Sequence, residues 1–318
     1  MKSITVSILT YNSSKTIRAC LDSLVTQTDP GFSVHIIDDA STDDTLKIVR
    51  DYRASLAITV YKNGTHNIPH GRNIALEKVK KGICAFVDSD DTVSTDWVAT
   101  IRHTFATQPD LAMISGKQTT SYRTKFAQAI AANDDTMRSL FGGGILQFCT
   151  CNSAINRDVL TDTYFNEAFV NGEDIEFAAR VERTHAWEFI ENLEVFHSTR
   201  DTIPGYGKQT YLYGTWKLYF SYATRAFRPV DAVPLAYGLF SIALACLYPP
   251  AIVMIFLLPI AQTGVTIVTQ RLSLRLWHLS FLAWCIKNTY WSIGICIGLA
   301  KLASRPSFRQ TLRAELAS

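Results

Sequence analysis

The sequence predicts an α/β domain, with a mostly parallel sheet covered by helices on both faces, followed by an apolar helical third. Three observations carry this. Before Trp97, short apolar runs alternate four times with segments of helical period. Two of those runs end directly in acids, Asp38-Asp39 and Asp88-Ser89-Asp90-Asp91, and open α/β sheets build sites by delivering polar groups to the carboxyl ends of strands. Beyond Ile203, charged side chains are absent over long stretches.

Residues 3–9 read as a buried first strand, with Asn12-Ser13-Ser14 capping a helix through Ile17, Leu21 and Leu24. Phe32 to Ile37 is the second strand. Ala40 to Thr45 supplies a turn and cap, and a helix continues through Leu46, Ile48 and Val49. A third strand, Leu56 to Tyr61, precedes the turn Lys62-Asn63-Gly64. His70-Gly71-Arg72-Asn73 leads into a helix through Ile74, Leu76 and Val79, before the strand Ile83 to Val87. A helix from Trp97 to about Thr107, a strand at Asp110 to Gly116 and a helix over the sheet at Tyr122 to Leu140 follow. Gly142-Gly143-Gly144 is a flexible break and Phe148 to Ile155 a further strand. Glu173-Asp174 opens a helix continuing from Ile175 to Thr184, and Trp187 to Phe196 is the last strand, with His197 at its end.

A chain of 318 residues holds one large α/β domain and an appendage. Its formal net charge of +3 is too balanced for a nucleic-acid partner. The charge is unevenly spread: after Ile203 the only acids are Asp231 and Glu315, among many lysines and arginines, which suits an anionic membrane surface. The seven cysteines have no metal-ligand pattern, and Cys149 and Cys151 read as core or reduced thiols. The N-terminus lacks a secretory apolar region, so the chain is expected to begin in the cytosol. These shifts divide it into a catalytic domain at 1–203, an amphipathic interfacial segment at 204–232, and membrane helices with a basic tail at 233–318. Candidate spans are 238–258, interrupted by Pro249-Pro250, and 277–300, which contains Lys287. A lysine at mid-membrane costs at least about 2.5 kcal/mol, so the second segment can instead pair with another helix, lie in the interface or form a re-entrant hairpin with the first.

Asp88 and Asp90 are two residues apart just past a strand, where a turn brings both towards one hard divalent cation, Mn²⁺ or Mg²⁺, holding a diphosphate. The alternative is an acidic helix cap before Trp97, built from Asp91, Thr92 and Ser94. At the second strand's end, Asp38 and Asp39 can accept hydrogen bonds from a ribose or base, with Tyr11 against the base ring; helix capping is their bland alternative. Neither a Gly-x-Gly-x-x-Gly turn nor a Walker lysine is present, which points to an activated-sugar donor. Glu173-Asp174, at a helix start, is expected to stay ionised, suited to removing a proton from an attacking hydroxyl; two acids favouring a helix's first turn is the bland alternative. His197 is a third metal ligand, a phosphate donor or a structural histidine. His70, Arg72 and Asn73 hold the donor or are ordinary loop polarity.

Taken in order, Thr10-Tyr11-Asn12, Ile37-Asp38-Asp39-Ala40-Ser41-Thr42-Asp43, Arg72-Asn73, Asp88-Ser89-Asp90-Asp91 and Glu173-Asp174 resemble the inverting family 2 of nucleotide-sugar glycosyltransferases over roughly residues 3 to 200. The resemblance implies the A-type glycosyltransferase fold, a Rossmann-like mixed sheet flanked by helices. It implies Thr10, Tyr11, Asn12, Asp38 and Asp39 at the nucleoside, Arg72, Asn73, Asp88 and Ser89 around the donor, and metal on Asp90, Asp88 and His197. Asp174 is then the catalytic base, supported by Glu173. The donor is a nucleoside-diphosphate sugar, UDP favoured over GDP or dTDP, and the acceptor a glycan or lipid-linked glycan at the cytosolic face of the cytoplasmic membrane, where the C-terminal third meets lipid. Competing readings are a polyprenyl-phosphate sugar synthase, which needs no general base, a processive polysaccharide synthase, for which the usual Gln-x-x-Arg-Trp signature is missing, and a non-enzymatic nucleotide-binding scaffold.

Overall fold

The computed structural model describes residues 2–141, 144–169, 171–198, 201–224 and 232–304. Gly142 and Gly143, the cations Arg225 and Arg228, and the basic tail from Arg305 lie outside the described residues. The chain divides into two compact units, Met1–Thr120 with Gly144–Ser198, and Ser121–Gly143 with Thr199–Ser318.

The first unit is an eight-stranded sheet. Its first half comprises β1 (Ile4–Thr10), α1 (Ile17–Val25), β2 (Phe32–Asp38), α2 (Thr45–Asp51), β3 (Ile58–Lys62), α3 (Ile68–Lys78) and β4 (Ile83–Val87). β1 lies between β2 and β4, parallel to both, and β3 runs parallel outside β2. β4 is a continuous apolar run because it is covered on both faces, while β3, at the edge of the sheet, is partly exposed. In β4, Ile83, Ala85 and Val87 pack in one core with Leu21, Leu24 and Trp97, while Cys84 and Phe86 pack in a second with Leu76, Met113 and Phe177. The two-residue strand period thus assigns alternate side chains to the two helix layers.

The second half comprises β5 (Asp91–Val93), α4 (Trp97–Thr107), β6 (Met113–Ser121), β7 (Asn152–Asn156), α6 (Glu173–Glu182) and β8 (Trp187–Ser198); α5 (Lys125–Phe141), between β6 and β7 in the chain, belongs to the second unit. Here the mostly parallel sheet read from the first four strands gives way to the mixed sheet that the resemblance implies. β7 runs antiparallel to β4 and to β6, and β5 antiparallel to β8, giving the strand order β3-β2-β1-β4-β7-β6-β8-β5 and a mixed sheet. An apolar run reports burial but not direction, and here strands are not joined by regular crossover helices. The expected strand Phe148 to Ile155 also shortens: a 3₁₀ turn occupies Gly144–Gln147, and pairing starts at Asn152. Buried Asn152 ties this half together. Its Oδ1 accepts from Trp97 Nε1 at 2.8 Å, and its amide donates to the carbonyls of Lys117 at 2.9 Å and Leu193 at 2.7 Å.

The second unit is helical. It contains α5 together with α7 (Ile203–Thr224), α8 (Val233–Leu247), a 3₁₀ helix (Pro249–Phe256), α9 (Leu257–Thr269) and α10 (Trp277–Ser304). The helix expected over the sheet at Tyr122 to Leu140 forms as α5 but belongs to this unit, where Ile130 and Phe126 pack with Tyr206, Ala283 and Ile286. α7 and α10 approach closely enough that a Cβ on Gly214 would lie 2.3 Å from the Trp291 carbonyl oxygen, and one on Gly294 2.3 Å from that of Tyr211. Lys287, the doubtful residue of the second candidate span, donates from Nζ to Asp134 Oδ1 at 2.6 Å and lies 5.3 Å from the Trp284 ring centroid. The first candidate span, 238–258, is not one helix: α8 stops at Leu247, Tyr248 is extended, and Pro249 opens the 3₁₀ segment. Proline without an N–H ends one helix and starts the next. Among the described residues one helical stretch is long and apolar enough to cross a membrane, Pro249–Thr269.

Candidate active site

The parallel register sets Thr10 opposite Asp38, so β1 and β2 end side by side. A polar patch grows from these ends. Tyr11 is exposed and meets His66 edge-on, with centroids 4.9 Å apart. Asp39 accepts from the His66 backbone N–H at 3.0 Å and pairs with its Nδ1 at 3.1 Å. Asn12 has a positive φ of 49° and accepts from the Thr42 N–H at 2.8 Å, pinning the two loops to each other. Asn12-Ser13-Ser14 is therefore a loop rather than the expected cap; the N-cap of α1 is Thr16. Asp38 Oδ2 accepts from the Ser41 N–H at 3.1 Å, and no hydrogen bond reaches its buried Oδ1 or the buried Thr10 hydroxyl among the described residues. His66 escaped the sequence reading because a lone histidine in a polar loop carries no pattern.

β4 hands the chain to Asp88-Ser89-Asp90. Ser89 Oγ lies 2.9 Å from Ser13 Oγ, fastening this turn to the loop before α1. The next residue is not a helix cap. Asp91 begins β5 in register with His197 of β8, and the N-cap of α4 is Asp96. Asp91 is wholly buried, and its Oδ1 lies 2.5 Å from His197 Nδ1. Asp90, Asp91 and His197 each bring a ligand atom within 4.8 Å of the others, and Asp88, Asp91 and Cys151 form a second such group. Asp90 and His197, expected as ligands, thus come together with Asp91, while Asp88 stands in the adjoining group. Carboxylates and an imidazole suit a hard divalent cation. Cys151, expected as a core thiol, is buried beside these acids.

At the third corner, α6 starts behind Gly172, whose φ of 82° is a turn conformation that glycine adopts without strain. Buried Glu173 forms a salt bridge with Arg72 Nη1 of α3, and Arg72 also lies over Phe165, 5.6 Å from the ring centroid. Asn73 is spent on holding the neighbouring segment: its amide donates to the Phe165 carbonyl and Glu167 Oε1, both at 2.9 Å, and its Oδ1 accepts from the Phe165 N–H at 2.7 Å. His70 Nδ1 meets the same Glu167 carboxylate at 3.0 Å.

Electrostatics join the corners. Burial works against the Arg72 charge, but Glu173, Asp88 and Asp174 together hold its pKa above the ordinary value. Burial pushes Asp88 up to about 7, with Arg72 opposing and Asp91 and Asp90 adding to the rise. Burial and the neighbouring Glu173 push Asp174 up to about 6, although Arg72 and the Ile175 N–H, 2.8 Å from Oδ1, favour its ionised form. Desolvation thus outweighs the helix N-terminus and backbone donor that favour ionised Asp174. Burial raises Asp91 against the stabilising pull of His197; burial lowers His197, but Asp91, Asp90 and Asp88 leave it above its ordinary value.

Residues 5–164 match the family described as Glycosyl transferase family 2. The chain belongs to that family. Family 2 relatives include the poly(ribitol-phosphate) beta-N-acetylglucosaminyltransferase TarS of Staphylococcus aureus, 40% identical over 100 residues, which cover 30% of this chain and 18% of TarS. The UDP-Glc:alpha-D-GlcNAc-diphosphoundecaprenol beta-1,3-glucosyltransferase WfaP of Escherichia coli is 36% identical over 100 residues, 31% of this chain and 38% of WfaP. The matched segment therefore spans well under half of either relative. The mannosyltransferase PcManGT of Pyrobaculum calidifontis, solved with GDP-Man and Mn²⁺, aligns at a TM-score of 0.60 and 18% identity over 94% of this chain and 87% of its own. TarS residues 1–349, solved with UDP-GlcNAc, align at a TM-score of 0.53 and 18% identity, covering 92% and 90%. At such identity the likeness speaks for the fold, and this family 2 chain has the A-type glycosyltransferase fold.

Proposed function

We propose that this family 2 enzyme moves a sugar, with inversion, from a nucleoside-diphosphate sugar to a hydroxyl of a glycan or lipid-linked glycan, using Asp174 as general base. The observation that carries the reading is Asp174 itself. It lies in the first turn of α6 with its carboxyl raised to about 6, and Arg72, which is influenced by both Asp174 and Asp88, links it to the acids after β4. A base near that value is ionised at neutral pH and is strong enough to take a hydroxyl proton as the bond to C1 forms. The bond from C1 to the diphosphate oxygen breaks, and the nucleoside diphosphate leaves.

The other residues bind and orient. Tyr11 offers a ring face to the base, and Asp39, held by His66, offers a carboxylate, with Thr10, Asn12 and Asp38 shaping the same pocket. Arg72, Ser89 and Asp88 line the donor's path, Glu173 fixes Arg72, and Asn73 frames the wall. Asp90, Asp91 and His197, with Asp88 alongside, would hold Mn²⁺ or Mg²⁺, whose charge when bound offsets that of the leaving diphosphate. The solved relatives' UDP-GlcNAc and GDP-Man support a nucleotide-sugar donor, with UDP favoured, and the WfaP name supports a lipid-linked acceptor. The apolar C-terminal unit supports work at the cytosolic face of the cytoplasmic membrane.

The test is release of nucleoside diphosphate from UDP-, GDP- and dTDP-sugars with Mn²⁺ or Mg²⁺, using polyprenyl phosphate or lipid-linked oligosaccharide as acceptor. Turnover on a sugar hydroxyl that Asp174→Asn abolishes supports the reading. Turnover on polyprenyl phosphate that survives Asp174→Asn replaces it with carrier charging, since an ionised phosphate needs no base.

A further inference from the structure

Within the helical unit, α8 and α9 are inside out. In α9 the buried stripe is Pro259, Thr263 and Thr266, while Leu257, Ile260, Val265 and Val268 face outward, Val268 at 77% exposure. In α8 the one buried residue is Ser241, and Leu239, Phe240, Ile242 and Leu247 are exposed, Leu247 at 86%. The seams between helices are polar: Asn133 with Ser280 at 2.7 Å, Gln262 with Asn288 at 2.7 Å, Thr136 with Thr266 at 3.3 Å, and Trp284 Nε1 with Thr266 at 3.2 Å. A helix in water buries its apolar stripe and shows its polar one; the reverse pattern fits hydrocarbon, where hydrogen-bonded polar and small residues hold helices together.

The same contacts decide how such a surface meets a bilayer. α8 has 15 residues, about 22 Å at 1.5 Å per residue, which is shorter than a hydrocarbon core of about 30 Å. The chain then turns back at Tyr248-Pro249, and Tyr237 Oη of α8 donates to the Met254 carbonyl of the returning 3₁₀ segment. α9 ends against α5, where Thr136 shares hydroxyl contacts with Thr266 and Thr269, both at 3.3 Å. α5 also carries Lys125, Asp135 and Arg138, charges that keep it at water level. No charged side chain occurs between Asp231 and Arg271, and past that run come Arg271, Arg275 and exposed Trp277, a cationic and aromatic border suited to anionic headgroups.

We propose that Val233–Thr269 is a monotopic wedge that enters one leaflet of an anionic bilayer and returns to the side it came from, rather than crossing. This rests on the membrane association proposed above and adds its topology. The wedge tip is the α8 end and 3₁₀ segment, including the exposed Cys246, Leu247 and Val253.

The test uses the full chain in sealed vesicles of both orientations, labelled with a membrane-impermeant maleimide. In a Cys246→Ser/Cys296→Ser background, Val233→Cys and Gln270→Cys should both label from the same face. With Cys246 retained, its labelling should fall at least tenfold on membrane binding and return in detergent. Labelling of the two end positions from opposite faces overturns the wedge in favour of a span, leaving membrane association intact. Flotation with phosphatidylglycerol-containing vesicles tests association itself: Leu247→Glu/Val253→Glu should lower the floated fraction at least tenfold while nucleoside-diphosphate release from the donor is unchanged. No flotation of the parent chain, or a lipid-free dimer dissociated by those substitutions, makes the face something other than a membrane surface.

Discussion

Asp174 is set by three neighbours at once. Burial and Glu173 push its carboxyl up to about 6, and Arg72 pulls the other way. As the proposed base it works only when deprotonated, so the rate should rise about tenfold per pH unit below 6 and level off above it. Asp174→Asn should lower kcat by about 100- to 10,000-fold and remove that limb of the pH–rate profile while donor affinity holds. An unchanged profile in the variant would assign the limb to another group. Asp91 was legible as an acid of the motif after β4 or as a helix cap, but not as the partner of His197. Its role depends on β5 standing in register with β8, a long-range pairing invisible to local pattern. With Oδ1 on His197 Nδ1, buried Asp91 orients the imidazole, so it acts as a positioning residue as well as a candidate ligand. Asp91→Asn should weaken Mn²⁺ binding about 10- to 100-fold by calorimetry or manganese spin resonance. Unaltered affinity would remove Asp91 from the metal's support.

At the level of elements, β1, β2 and β4, and the acids that end β2 and β4, could be read directly because buried parallel strands are rich in apolar residues. The antiparallel half could not, since pairing direction leaves no mark on such a run. Lys287 was legible as a cost to a lone membrane helix but not as a resolved one, because its partner Asp134 is 153 positions away. That pair is a test of α5–α10 packing. Lys287 is mostly shielded and Asp134 partly so, at 16% and 38% side-chain exposure. Lys287→Ala should therefore cost about 1–3 kcal/mol by leaving a partly desolvated carboxylate unpaired. Asp134→Asn/Lys287→Met should recover part of it. Chemical unfolding in mild detergent measures both, and a single variant as stable as the parent would show the pair to be solvated.

Across the whole molecule, the sequence suggests a cut near residue 203, where composition changes. The packing places the boundary elsewhere, because α5 lies between β6 and β7 in the chain yet belongs to the helical unit. Its buried Ile130 and Asn133 are covered by Tyr206 and Ser280, residues from the far end of the chain. Truncation after Ser198 should accordingly expose α5 and its polar seam, giving a chain that aggregates. Joining Thr120 to Gly144 by a short Gly-Ser linker in the same truncation removes that exposed helix and should give a soluble, monomeric sheet domain with cooperative thermal unfolding. The physical reason is that β6 and β7 already pair through Met113–Ile155 and Ile114–Ala154, so their contact does not need α5 between them. A simple truncation that stays soluble and monomeric would mean that α5 finds cover within the sheet unit, and the two-unit division would then be wrong.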